Sequence, residues 1–130
     1  MTLPDSKLKQ MADHQRRLDY QKRAAIQERG SRAIAESKRL AREFLALDPG
    51  LEKVILFGSL ARRVINTEQF DIDLAVLCSA DKYLRLVAAT FDSSFHVDLV
   101  DLRSIDERIR GSIEHEGTVI FDKRGNLNED

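Results

Sequence analysis

Apolar residues are sparse in the first thirty positions, which strong helix formers fill instead. This composition predicts a helix that starts at Pro4–Ser6 and runs to Arg29. Its apolar stripe is thin because Gln15 and Lys22 interrupt it; the stripe consists of Leu8, Met11, Leu18 and Ala25. Such a helix buries little by itself and needs a partner surface. That surface is the rest of the chain, a second copy or another protein, and the pattern does not distinguish these three.

A second helix is predicted after Gly30–Ser31, a pair that is expected to break or restart the first helix with Ser31 as N-cap. It should end near Leu47, because Asp48–Gly50 is a turn signal and Pro49 disfavours helix at the preceding residue. Its apolar positions recur at helical spacing: Ala33, Ile34, Ser37, Leu40, Ala41, Phe44 and Leu45.

Short apolar runs in the remainder predict four strands. The first is expected to be buried on both faces because it is continuously apolar. A helical turn is expected between the first two strands, a helix starting at Ser79–Asp81 between the second and third, and a helix capped by Ser104 and Glu107 before the last. In the middle helix we expect Leu84, Val87, Ala88 and Phe91 to form the buried stripe. The predicted strands are Lys53–Phe57, Ile72–Leu77, Phe95–Leu102 and Thr118–Phe121.

Helical and extended segments therefore alternate, without an internal repeat and without the glycine pattern of a P-loop or a dinucleotide fold. We expect an α/β (α+β two-layer) fold, in which a small mixed β-sheet has helices on one side and an extra N-terminal helix precedes it. Three regions are expected: a helical extension at 1–30, a domain at 31–122 and a polar tail at 123–130.

Composition places the 130-residue chain among single-domain soluble proteins, with 42% hydrophobic and 33% charged residues. No apolar run approaches the roughly 20 residues that cross a bilayer, and no export signal is recognisable. A single cysteine, Cys78, excludes an internal disulfide and a cysteine-rich zinc site, and is expected to be a small core residue. These features predict a cytoplasmic protein without membrane contact.

The net charge of −1 hides an asymmetry. Residues 1–47 carry eleven Lys/Arg against six Asp/Glu, whereas residues 48–130 carry ten against sixteen. A basic N-terminal segment on an acidic body is typical of a protein that contacts nucleic acid or an acidic partner, and equally of a solvated helix that partly neutralises its own body. Nucleic acid is disfavoured because Tyr20 is the only aromatic residue in the predicted N-terminal helix.

Three aspartates in neighbouring predicted strands are the candidate catalytic and metal-binding residues. Asp71 and Asp73 are two positions apart and therefore point to one face of a strand. Mg²⁺ prefers a few carboxylates completed by phosphate oxygens, and Asp98 in the next strand would let the set hold two metals about 4 Å apart. Two alternatives stay open: the first pair decorates a solvated strand end, and Asp101 competes with Asp98 as the third ligand.

A small-residue turn directly after the first strand is the candidate phosphate site. Gly58 permits close approach of a phosphate to the backbone, and Ser59 offers a hydroxyl. Arg62 or Arg63 could neutralise a triphosphate. Alternatively, Ser59 is a plain N-cap and the arginines face solvent.

The histidines and the possible nucleophiles do not indicate a further metal site or covalent catalysis. The three histidines show no ligand spacing, and the chain has no Ser/His/Asp or Cys/His set for covalent catalysis. These histidines are His14, His96 and His115.

Three segments in order, Gly58–Arg62, Asp71–Leu74 and Val97–Val100, resemble the signature of the polymerase-beta-type nucleotidyltransferases. More narrowly, the stretch Ser31–Phe121 resembles the minimal nucleotidyltransferases. The resemblance implies a nucleotidyltransferase domain with Asp71, Asp73 and Asp98 as metal ligands and Gly58–Ser59 as the triphosphate contact, with Arg62 a further candidate for binding the nucleotide.

The resemblance also implies cofactor, substrate and partner. It implies Mg²⁺ and a nucleoside triphosphate, with ATP and transfer of AMP to a protein or small-molecule acceptor as the leading expectation. Small members of the group are often antitoxins paired with an all-helical HEPN toxin. The alternative is an antitoxin that neutralises such a partner by complex formation, with weak or no catalysis. Self-association through the N-terminal helix is a further expectation.

The chain departs from the family pattern at three places. Arg63 stands where the family usually has glycine, and Phe70 where it usually has serine. The connection between the Gly–Ser turn and the first aspartate is also about one residue longer than usual.

Overall fold

A four-stranded mixed sheet with one very long helix forms the framework of the protein. The computed structural model describes residues 4–65 and 67–125, so residues 126–130 of the predicted polar tail lie outside the described part. In chain order the elements are α1 (Asp5–Leu47), β1 (Lys53–Phe57), α2 (Gly58–Arg62), β2 (Ile72–Leu77), α3 (Tyr83–Thr90), β3 (Val97–Asp101), α4 (Glu107–Glu116) and β4 (Thr118–Asp122).

The strand order in the sheet is β3-β2-β1-β4. The central pair, β1 and β2, is antiparallel, as is the pair of β1 with β4, whereas β2 and β3 run parallel. The predicted mixed sheet is therefore confirmed, and the first two strands have the predicted bounds. β1 is buried on both faces as expected, with Val54, Ile55 and Leu56 each at most 2% exposed.

The main core lies between α1, α3 and one face of the sheet. Most of the buried apolar side chains meet there, including Leu40, Phe44, Val54, Leu56, Leu74, Val76 and Leu86. The opposite face is not bare, because α4 packs Ile113 against Ile55 and Ala75 in a smaller cluster. That face is covered only in part, and it is where the aspartates lie.

The predicted break at Gly30–Ser31 is wrong, because α1 is one continuous helix of 43 residues. A glycine inside a helix costs about 1 kcal/mol relative to alanine. Gly30 is nevertheless buried, and a methyl group at its Cα would make ordinary van der Waals contact with Ile65 Cδ1 at 3.6 Å. Packing of the following turns against the sheet outweighs the intrinsic preference of glycine. The predicted helix end at Leu47 is confirmed.

The first part of α1 projects from the body. Every residue from 4 to 24 is exposed, and we call residues 5–24 the arm. Its predicted apolar stripe has no cover within the described chain, with Leu8 46% and Leu18 45% exposed. Within the residues that the structure describes, no helix is both long enough and apolar enough to cross a membrane.

The turn after α1 is held by one buried carboxylate. Asp48 Oδ2 accepts a hydrogen bond from the backbone N–H of Ser79 (2.8 Å), while its Oδ1 accepts from the Ser79 hydroxyl (2.8 Å) and the Gly50 N–H (3.0 Å). Burial alone would raise the pKa of Asp48, but these hydrogen bonds outweigh it and hold the pKa below its ordinary value. The predicted turn thus also fixes the end of β2.

The predicted start and buried face of α3 are wrong. Ser79 is bonded to Asp48, and α3 begins at Tyr83, whose hydroxyl donates to the Leu99 carbonyl at 2.7 Å and turns this side of the helix toward the sheet. Leu84 and Phe91 of the expected stripe are instead 78% and 79% exposed. The buried positions of α3 are Leu86, Ala89 and Thr90.

The predicted cap of α4 is wrong as well. Asp106 is the N-cap and accepts from the Arg108 N–H, so Glu107 is the first helical residue. Ser104 donates to Asp101 Oδ2 at 3.2 Å instead. The end of α4 at Gly117 is as predicted, and β3 is shorter at both ends than the predicted Phe95–Leu102.

Candidate active site

The end of β1 and the beginnings of β2 and β3 meet at one corner of the sheet. The strand register aligns Phe57, Asp73 and Asp98 across the three strands. Ile72 and Leu74 point into the main core, so Asp71 and Asp73 at the alternate positions point to the opposite, partly open face.

Four side chains form a block on this face. Asp73 pairs with Asp98 in the parallel register, and Asp71 and His96 each stand one position before the paired residues Ile72 and Val97. His96 Nδ1 lies 3.3 Å from Asp71 Oδ1 and 3.8 Å from Asp98 Oδ1. The ligand atoms of Asp71, His96 and Asp98 all lie within 4.8 Å of one another. The fold thus brings the three sequence-predicted aspartates together and adds a histidine.

The expectation that no histidine has ligand spacing does not hold for His96. It lies two residues before Asp98, which repeats on β3 the spacing of the two aspartates on β2. The spacing of His96 and Asp98 was therefore visible in the sequence. Its meaning depends on the parallel pairing of β2 and β3, which places His96 beside Asp71.

Asp73 is the most buried member of the block. Burial raises the pKa of its carboxyl to about 6, and the neighbouring carboxylates of Asp98 and then Asp71 add to this. In the described part of the chain no lysine or arginine forms an ion pair with these three aspartates, and His96 is the only basic group beside them. Three crowded carboxylates with an imidazole are a donor set that suits a divalent cation.

Gly58 joins the small-residue turn to this block. Its φ of +76° is in the region that favours glycine, and a Cβ built on it would overlap Asp73 Oδ2. Gly58 and Asp73, which are fifteen positions apart in the sequence, therefore lie against each other. Ser59 is exposed inside α2, and Phe57 occupies the N-cap position, so the alternative role of Ser59 as the N-cap does not apply.

Arg62 lies near the acidic corner, whereas Asp101 lies away from it. Arg62 is exposed and borders, together with Gly58 and Glu116, a cavity of about 160 Å³ between α2 and α4. Asp101 lies at the other end of β3, where its carboxylate accepts from the Arg103 N–H (3.0 Å) and the Ser104 hydroxyl (3.2 Å). Asp98 rather than Asp101 is thus the third carboxylate at the corner.

The family comparison agrees with this arrangement. Residues 41–126 match the family model described as "Polymerase beta, Nucleotidyltransferase". The chain belongs to this family. No curated protein sequence matches it.

Solved structures of nucleotidyltransferase-like chains share the fold. A nucleotidyltransferase-like protein from Sulfolobus solfataricus is 18% identical, with a TM-score of 0.59 over 82% of this chain and 95% of that one. A chain of a toxin–antitoxin structure with AMP-PNP is 27% identical, with a TM-score of 0.51 over 67% of this chain and 74% of that one. A chain from a variant of the toxin–antitoxin pair MntA–HpeT is 27% identical, with a TM-score of 0.50 over 65% and 71%.

Where this chain departs from the nucleotidyltransferase pattern, the structure shows what the departing residues do. Phe70 packs against Phe95, with ring centroids 6.3 Å apart, and the Arg29 guanidinium lies 4.5 Å from the Phe95 centroid and 5.8 Å from that of Phe70. These two rings directly precede Asp71 and His96. They attach the beginnings of β2 and β3, and with them the acidic corner, to the long helix α1.

The second departure is a strained backbone position. Arg63 has φ +59° and ψ +33°, the left-handed conformation that glycine adopts without penalty. It is the only non-glycine residue with positive φ in the described ranges. Its side chain lines a cavity of about 360 Å³ against α1, together with Arg23 and Gln27, so it lies on the helix side of α2.

Proposed function

We propose that this nucleotidyltransferase-family chain transfers AMP from ATP to a protein or small-molecule acceptor with Mg²⁺ as cofactor. The observation that carries the proposal is the corner where Asp71, Asp73 and Asp98 gather beside Gly58. Phosphoryl transfer needs mainly positioning and charge stabilisation. This corner offers carboxylates that can bind a cation and a turn that a phosphate can approach.

In the proposed reaction the acceptor hydroxyl oxygen forms a bond to the α-phosphorus of ATP, and the bond from that phosphorus to the bridging oxygen breaks. Pyrophosphate leaves with the bond's electron pair, and the hydroxyl proton passes to the Asp98 carboxylate. Bound Mg²⁺ supplies neutralisation of the triphosphate charge. Asp98 suits the proton transfer because its side chain is 53% exposed and therefore reachable from solvent.

The nucleotide is proposed to lie between the acidic corner and α2. Gly58 and Ser59 would contact the triphosphate, and Arg62 beside Gly58 would neutralise part of its charge. A structure similar to this chain was solved as a toxin–antitoxin with AMP-PNP, which supports an adenine nucleotide as the ligand.

We propose further that the chain is the antitoxin of a toxin–antitoxin pair and that the acceptor belongs to a helical partner of the HEPN type. The support is the similarity to chains of toxin–antitoxin complexes. The arm, with its uncovered apolar stripe, offers a surface for such a partner or for a second copy of this chain.

The test is transfer of label from each α-labelled nucleoside triphosphate to candidate acceptors in the presence of Mg²⁺. We expect ATP to be preferred and Asp98→Asn to abolish transfer while largely sparing nucleotide binding. Asp101→Asn is the matched control, because it changes the same residue type at the other end of the same strand. Undiminished transfer by Asp98→Asn would refute the assigned role.

A second candidate function is neutralisation of the partner by complex formation alone, with weak or no catalysis. The exposed arm favours it, because a docking surface does not depend on the acidic corner. A double Asp71→Asn, Asp73→Asn variant separates the two functions. Protection of cells by this variant would show that binding is enough; loss of protection with the complex intact would show that transfer is required.

A further inference from the structure

His96 lies where a ligand of the same cation would lie. Ligand atoms about 2.1 Å from an octahedral ion and at right angles to one another are separated by about 3.0 Å. His96 Nδ1 is 3.3 Å from Asp71 Oδ1 and 3.8 Å from Asp98 Oδ1. Small side-chain rotations would therefore bring all three atoms to one ion, without any movement of the strands.

The histidine is also available for this role. Its side chain is 69% exposed, and its contacts with the two carboxylates are the only ion pairs it makes within the described residues. Its main chain is fixed, because the His96 carbonyl accepts from the Ile72 N–H at 3.0 Å. An exposed imidazole on a fixed backbone can reach an ion at little cost.

We propose that His96 is a direct ligand of the cation held by Asp71 and Asp98, and that this ligand makes the site bind Mn²⁺ more tightly than Mg²⁺. Mg²⁺ takes oxygen ligands almost exclusively, whereas imidazole nitrogen suits transition metals. The inference rests on the metal centre of the proposed function and adds to it a nitrogen ligand and a choice of metal.

The experiment uses the full chain without a histidine tag, Mn²⁺ as the probe and cacodylate buffer, which contains no nitrogen. Pulsed electron paramagnetic resonance of the bound Mn²⁺ then reports whether a nitrogen nucleus is directly coordinated. We expect ¹⁴N coupling in the unmodified protein, its loss in His96→Gln and its retention in His115→Gln. The signal of the unmodified protein is informative even if the first variant folds poorly.

Affinity gives a second readout that does not require activity. In titrations followed by the free-Mn²⁺ signal, His96→Gln should weaken Mn²⁺ binding at least about tenfold. Binding of Mg²⁺, measured by competition, should change by less than a factor of about three, since it uses the carboxylates.

The outcomes separate this inference from the proposed function. Bound Mn²⁺ without ¹⁴N coupling, or with coupling that survives His96→Gln, would overturn the role of His96 and leave the carboxylate site intact. Absence of Mn²⁺ and Mg²⁺ binding altogether would overturn the metal centre, and the proposed function with it.

Discussion

Replacing Asp73 with asparagine should stabilise the metal-free protein at neutral pH, although the same change should remove metal binding. The carboxyl of Asp73 is partly buried beside Asp98 and Asp71, which is why its pKa is raised to about 6 from the ordinary 3.8. Its charged form is therefore unfavourable in the folded state. Asparagine has nearly the same shape and carries no charge, so it removes both the cost of burying the charge and the repulsion from Asp98 and Asp71.

The size and pH window of the effect follow from the two pKa values. The folded state binds the proton more tightly than the unfolded chain, so the penalty is absent below about pH 4, grows between about 4 and 6 and is complete above 6. At 1.36 kcal/mol per pKa unit, the ceiling is about 3 kcal/mol. Because the site is partly open to solvent, screening reduces the expected gain to about 1–2 kcal/mol.

Urea unfolding in EDTA, followed by circular dichroism at pH 4 and pH 8, measures this difference. Asp73→Asn should be more stable than the unmodified protein at pH 8 and equal to it at pH 4, since other titrating groups cancel between the two. In the same buffer without EDTA, added Mn²⁺ should stabilise only the unmodified protein. Asp101→Asn, the control, should show no gain at pH 8, because its carboxylate accepts two hydrogen bonds. Equal stability differences at both pH values would refute the reasoning.

Two further predictions concern the backbone and the arm. Arg63→Gly should raise the free energy of unfolding in urea by about 0.5–1 kcal/mol, because it removes a non-glycine residue from the left-handed conformation. Arg63→Ala keeps the strain and should give no gain. A lower stability of the glycine variant would contradict this prediction. If the apolar stripe mediates self-association, a Leu8→Glu, Leu18→Glu double variant should be monomeric by light scattering under conditions where the unmodified chain associates. Tyr20→Glu is the control, because Tyr20 lies outside the stripe. If the unmodified chain is monomeric at all concentrations, the stripe is not a self-association surface.

The strands were predictable because each is a short apolar run bounded by turn residues. β1 and β2 begin and end where the sequence indicates, and Asp71 and Asp73, two positions apart, could be assigned to one face from the period of two alone. What the sequence did not provide was the pairing of strands. Without the parallel register of β2 and β3, nothing linked His96 to Asp71.

The helices were predicted less well, because tertiary contacts decide where they begin. Ser79 is an ordinary N-cap candidate, yet it bonds to Asp48, thirty-one residues earlier, and α3 begins only at Tyr83, which bonds to Leu99. Gly30 would end an isolated helix, but here it lies against Ile65 in the interior. In both cases a contact between residues distant in sequence outweighs a local preference of up to about 1 kcal/mol.

Two departures from the family pattern, Arg63 and Phe70, are best understood together with α1. Phe70 packs against Phe95 beneath the Arg29 guanidinium, and Arg63 lines a cavity against the same helix. Both therefore lie on the side where α1 crosses the domain, whereas Gly58 and the acidic block lie at the other side of α2 and on the open face of the sheet. The departures thus change how the domain is attached to its long helix and leave the groups of the candidate site in place. This separation explains how a chain can lose two family residues next to its signature motifs and still assemble the three aspartates.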